Sequence, residues 1–148
     1  MNASELSNVL LLSASEVLEG MFYTSPLGDA PEDAPAGDIS VALSFQGQPP
    51  GTFGLCTSPE TGRKLAASFL GLDEESVTDE KNEEVLCELA NMLCGSALSR
   101  IESNSIFALS QPKKEPAGSD RAAQPSVSRT FELEEGFLTT WIATENTP

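Results

Sequence analysis

A chain of 148 residues with 39% hydrophobic and 21% charged side chains has enough apolar material for one core, and residues 1–148 read as a single domain. Its formal net charge of −15, from 23 acidic against 8 basic residues, repels a nucleic-acid backbone, because the few basic residues are scattered. Histidine is absent, which removes the Ser-His and Cys-His nucleophilic pairs and leaves carboxylates, amides or chemistry borrowed from a partner. The longest apolar run, Val9 to Leu12, falls far short of the roughly 20 residues a membrane helix needs. Met1 leads directly into Asn2-Ala3-Ser4-Glu5 without a basic stretch, so the reading expects no secretory signal and a cytoplasmic protein that meets no membrane. Cys56, Cys87 and Cys94 are odd in number and lack CxxC spacing, so they are expected to be reduced packing residues rather than metal ligands.

In chain order, Leu6, Val9, Leu10, Ala14, Val17, Leu18, Met21 and Phe22 recur at helical spacing and predict an amphipathic helix from Ser4 to Phe22. Asn2 or Ser4 can cap its start, and Gly20 and Pro26 mark its end. The acidic, proline-bearing stretch Thr24 to Asp38 predicts a loop. Ile39, Val41, Leu43 and Phe45 alternate with small residues as in a half-buried strand, and Thr52 to Cys56 returns after the Gln46–Pro50 turn, which predicts an antiparallel hairpin. Ser58-Pro59-Glu60 opens a second helix with the apolar stripe Leu65, Ala66, Phe69 and Leu70, and Gly71 stops it. An acidic approach from Asp73 leads into a third helix over about Glu83 to Glu102. Ile106 to Leu109 is a short strand candidate, Gln111 to Ser128 reads as a loop, and Thr130–Leu133 with Phe137–Ala143 predicts a second hairpin. Runs of hairpins and helices in this order favour an α+β fold, an antiparallel sheet of hairpins packed with about three helices.

The third helix carries the chemical signal. At 100° per residue, Val85, Leu86, Leu89, Met92, Leu93 and Ala97 share one side, while Glu84, Glu88, Asn91 and Gly95 line the other. Glu88 and Asn91, three apart, are surface neighbours that can address one small target, although the same pattern also suits a plain solvated face. Gly95 inside a strong helix costs about 1 kcal/mol against alanine, which suggests close approach either of a packed strand or of a partner.

The segment Glu88-Leu89-Ala90-Asn91-Met92-Leu93-Cys94-Gly95 resembles the active helix of the CheC, CheX and FliY phosphatases, whose signature is Glu-x-x-Asn followed by a helix glycine. The likeness extends to element order over most of the chain. It implies a CheC-like fold and a chemotaxis phosphatase, a hydrolase that removes the aspartyl phosphate of a CheY-type response regulator in two-component signalling. It implies that Asn91 orients the attacking water and that Glu88 docks a regulator lysine, with Glu84, Gly95 and Pro112 as partner-binding positions. It also implies no cofactor or metal of the chain's own, Mg2+ being supplied by the phosphorylated regulator, and a homodimer, for which the Phe137–Ile142 strand is a candidate edge. Two departures stand out: Pro112 lies slightly closer to Asn91 than the family pattern places it, and Glu84 replaces the usual Ser or Asp. Family members of the CheC type carry a second motif in the first helix; here Ser15 and Glu19 match its spacing, but Phe22 holds the Asn position, which implies one active face, as in CheX. The alternative is a catalytically inactive CheX-like binding module in two-component or flagellar-switch signalling.

Overall fold

Each of the three α-helices among the described residues is started by a polar side chain that satisfies an orphan backbone N–H of the first turn. In the computed structural model, which describes residues 2–35, 37–115 and 127–144, α1 spans Ala3–Val17 and its cap is Asn2, whose Oδ1 accepts the Glu5 N–H at 2.8 Å. The helix widens over Leu18–Phe22 into a π-type turn and stops at Tyr23, which takes the left-handed conformation at φ 58°. Leu18 and Phe22 are buried there, whereas Met21, placed by periodicity on the apolar stripe, stands 47% exposed. Helix α2 (Pro59–Leu70) begins as expected: Ser58 Oγ accepts the Thr61 N–H at 3.1 Å, Pro59 holds the first position, and Gly71 ends the helix at φ +70°. Helix α3 (Asp79–Ile101) starts earlier than the predicted Glu83. Thr78 Oγ1 accepts the Lys81 N–H at 3.1 Å, and Asp79 and Glu80 sit against the positive end of the helix dipole, so part of the acidic approach is the helix's own first turn.

Among the described residues the strands are β1 (Gly28–Asp29), β2 (Ile39–Gln46), β3 (Gly51–Thr57), β4 (Ala108–Leu109), β5 (Lys113–Glu115), β6 (Val127–Leu133) and β7 (Gly136–Thr144). They form one antiparallel sheet in the order β1-β6-β7-β3-β2-β4, with β5 also paired to β2. Both predicted hairpins are present, β2 with β3 and β6 with β7, and they join through β3 and β7. The register sets Val41 opposite Leu55 and Leu43 opposite Phe53, and then Phe53 opposite Ile142. Because side chains alternate along a strand, this row forms one apolar face, and the three helices pack onto it. On the other face Trp141 lies over Gly54, where a Cβ would run into the indole ring, and Trp141 is only 5% exposed.

Three expectations need correction. Within the predicted Thr24–Asp38 loop, Gly28 and Asp29 pair with β6; within the predicted Gln111–Ser128 loop, Lys113–Glu115 pair with β2, while residues 116–126 of that loop lie outside the described residues. Polar residues carry little strand signal of their own, and here the exposed backbone of an edge supplies the pairing. The Phe137–Ile142 segment cannot pair across a dimer edge, since β7 is an interior strand with β3 on one side and β6 on the other.

Candidate functional site

Helix α3 lies on the sheet with Val85, Leu86, Leu89, Leu93 and Ala97 buried. That burial fixes its rotation. Glu84 and Glu88 are therefore exposed, and Asn91 is half-buried at the margin between the helix and the chain that follows it. Met92, read with the buried side, is likewise half-buried and packs against the core from its edge.

The opposite wall is built by long-range pairing. Leu109 is held opposite Phe45 of β2, and Lys113 opposite Ala42. Between them the Ser110 N–H donates to the Ser44 carbonyl at 2.8 Å, and the Ser44 N–H donates back to Ser110 Oγ at 2.9 Å. Pro112 stiffens the same stretch by fixing its own φ and keeping Gln111 extended. The space between this wall and α3 is a groove of about 680 Å³, lined by Glu80, Glu83, Glu84, Cys87, Glu88 and Asn91 from the helix and by Leu109, Ser110, Gln111 and Pro112 from the wall.

Four of the five residues singled out from sequence, Glu84, Glu88, Asn91 and Pro112, thus meet in one groove, although Pro112 is distant from them in the chain and slightly displaced from the family spacing. Gly95 is on the same helix beyond the groove. A Cβ there would meet nothing within 4 Å, so tight packing against a strand is not why the residue is small. Glu80, Glu83, Cys87 and Gln111 were not singled out. The Glu80, Glu84, Glu88 row repeats every four residues and was readable as a helix face; Gln111 had only its place before Pro112 to mark it.

The side chains of Glu88, Asn91 and Gln111 make no hydrogen bond or ion pair with another described residue, which leaves their polar groups facing the groove. The glutamates run along the helix instead of converging, and among the described residues no three His, Cys, Asp or Glu side chains form a metal-ion cage. Burial, then the charges of Glu83 and Glu84, raise the Cys87 thiol above its ordinary value, which leaves it protonated and weakly nucleophilic at neutral pH. Beyond the groove, Ser96 Oγ donates to Glu16 Oε1 at 3.1 Å and Arg100 donates to Glu16 Oε2 at 3.0 Å, tying α3 to α1.

A larger groove of about 880 Å³ lies between the first turns of α1 and strands β1 and β6. Its arginine, Arg129, is already committed to Asp29 at 2.8 Å and to the Ser7 carbonyl at 3.1 Å, and it holds none of the motif residues. At the position where a second motif would need an amide, Phe22 is fully buried and stacked on Phe69, ring centroids 4.8 Å apart. Among the described residues no helix is long and apolar enough to cross a membrane.

The chain's fold is similar to that of the chemotaxis protein CheX from Vibrio vulnificus, with a TM-score of 0.75 at 20% identity over 98% of this chain and 99% of that one. It is also similar to a structure of the CheX–CheY–BeF3–Mg2+ complex from Borrelia burgdorferi, at 0.69 and 17% identity over 93% and 96%, and to FliY of Thermotoga maritima, at 0.59 and 18% over 96% and 87%. Identities this low establish the fold alone. No curated protein matches the chain in sequence. The family model for the chemotaxis phosphatase CheX matches residues 39–129, which include Glu88, Asn91 and Pro112. By that match over more than half its length, this chain belongs to the CheX family of chemotaxis phosphatases.

Proposed function

We propose that the chain hydrolyses the aspartyl phosphate of a CheY-type response regulator, with the groove along α3 as the docking face. Water attacks phosphorus in line, the bond from phosphorus to the aspartyl oxygen breaks, and inorganic phosphate and a free carboxylate result. The barrier to such a step is mainly one of position and charge, so a helper protein need not react covalently. Asn91 is held on a helix whose rotation the core fixes, and its carboxamide oxygen accepts a hydrogen bond from the attacking water. Glu88, exposed one turn earlier, forms a charge-assisted pair with a lysine beside the regulator's phosphorylation site. The magnesium ion belongs to the regulator. This division of labour suits a chain without histidine, whose carboxylates form no metal cage among the described residues.

The observation that carries this reading is the convergence of Glu88, Asn91 and Pro112 on one groove, with the side chains of Glu88 and Asn91 unpartnered among the described residues. The complex of a CheX with CheY, BeF3 and Mg2+ from Borrelia burgdorferi supports the partner class, since that protein shares the fold. The test is the decay of a phosphorylated CheY-type regulator with Mg2+, alone and with the protein. Asn91→Ala is expected to lower the accelerated decay on the order of 10²-fold while the regulator still binds. Glu88→Ala is expected to weaken binding at least about tenfold, as loss of a charge-assisted contact does. Binding without acceleration by the unaltered protein would make it a docking module instead of an enzyme.

A further inference from the structure

The groove poses an electrostatic difficulty. Its helix wall carries four glutamates, no lysine or arginine lines it among the described residues, and the protein as a whole is at −15. A phosphorylated, carboxylate-rich face brought into such a groove meets repulsion at short range, which must be offset by contacts that donate hydrogen bonds without adding negative charge. Among the described residues, two side chains lining the groove have N–H groups to give, the carboxamides of Asn91 and Gln111. Asn91 stands on the helix and Gln111 on the wall opposite.

Gln111 is also braced. The residue before it is locked to β2 by the reciprocal Ser110 and Ser44 hydrogen bonds, at 2.8 and 2.9 Å, and two residues after it Lys113 is in register with Ala42. The following proline confines its backbone to the extended region. Its side chain is exposed and makes no hydrogen bond to another described residue. An amide on a backbone fixed at both sides loses little freedom on meeting a partner, which is the condition for a contact to yield net affinity.

We propose, resting on the phosphatase reading above, that Gln111 is a binding residue for the regulator: its carboxamide N–H donates to an oxygen on the phosphorylated face, so that the docked regulator is gripped between the α3 wall and the Ser110–Pro112 wall. Gln111 sets affinity and Asn91 sets rate.

The experiment titrates the protein with a CheY-type receiver domain activated by Mg2+ and beryllofluoride, and separately measures phosphoregulator decay at increasing regulator concentration. Gln111→Ala should raise both Kd and KM about five- to tenfold, with the larger part of the loss in KM and not in kcat. Gln111→Glu, which keeps the shape but replaces the donor by a fifth carboxylate, should weaken binding further. Both variants should unfold at the wild-type temperature. The proposal is overturned if Kd and KM stay within about twofold of wild type, a change below one net hydrogen bond. It is overturned equally if the loss lies in kcat alone, or if both variants bind poorly only because they have lost stability. Should the wild-type protein bind the beryllofluoride form yet fail to hasten decay, the phosphatase reading falls while the Kd comparison still decides Gln111. Absence of wild-type binding to any CheY-type regulator would overturn both.

Discussion

Phe22 and Gly95 illustrate how a single side chain decides what a surface can do. Phe22 is fully buried and stacked on Phe69, so Phe22→Asn does not open a second active face; it deletes a ring and buries an amide. The expected cost is about 3–5 kcal/mol in denaturant unfolding, with no gain in the proposed phosphatase activity. At Gly95 the outcome is reversed. The position is helical and its Cβ direction is empty, so Gly95→Ala should stabilise the fold by about 0.5–1 kcal/mol. If a partner needs that clearance, the same variant binds the regulator more weakly, and unfolding and binding measured together separate the two effects. Cys94 supplies a pH test. Burial pushes its thiol from 9.0 up to about 12, so the folded state keeps the proton after an unfolded chain has released it. A raised folded value means that the contribution to stability is complete below about 9 and is lost as pH rises toward about 12. Unfolding curves across that range should record the decline, and Cys94 should resist alkylation in the native protein at pH 8.

At the level of elements, α3 is positioned by its start, its buried side and its tie to α1. Thr78→Ala removes the side-chain acceptor for the Lys81 N–H and should cost about 1 kcal/mol of stability. The link through Glu16 is exposed and contributes differently. Arg100 and then Ser96 hydrogen-bond the Glu16 carboxylate, and with the Arg100 charge they hold it below its ordinary value, so whatever it adds is present at neutral pH and is lost as pH falls through the folded value. In the sheet, Gly54→Ala drives a Cβ into the Trp141 ring and should destabilise by about 1–3 kcal/mol, read as a lower urea midpoint. These elements differ in how far they were legible. The three helices follow from period, and α1 and α2 from their caps as well, because those signals are local; the Thr78 start of α3 lay inside the acidic approach and did not stand out. The two-residue β1 and the lysine-bearing β5 do not, because an exposed edge elsewhere in the chain makes them strands.

On the scale of the whole molecule, 23 acidic residues against 8 basic ones make self-repulsion the leading long-range electrostatic effect. Salt screens it, so raising ionic strength from about 0.01 to about 0.2 M should raise the unfolding temperature by a few degrees. A fall instead would mean that pairs such as Glu16 with Arg100 and Asp29 with Arg129 outweigh the general repulsion. The sequence by itself determined the α+β class, both hairpins, the three helices and the outward placement of Glu84, Glu88 and Asn91, since each depends on periodicities of 2 or 3.6 residues within a short window. Only the tertiary structure decided that β7 is interior, and that the Ser110–Pro112 wall faces Asn91 across a groove. Those outcomes depend on which distant strand an edge pairs with, and backbone hydrogen bonds between remote segments leave almost no trace in local composition.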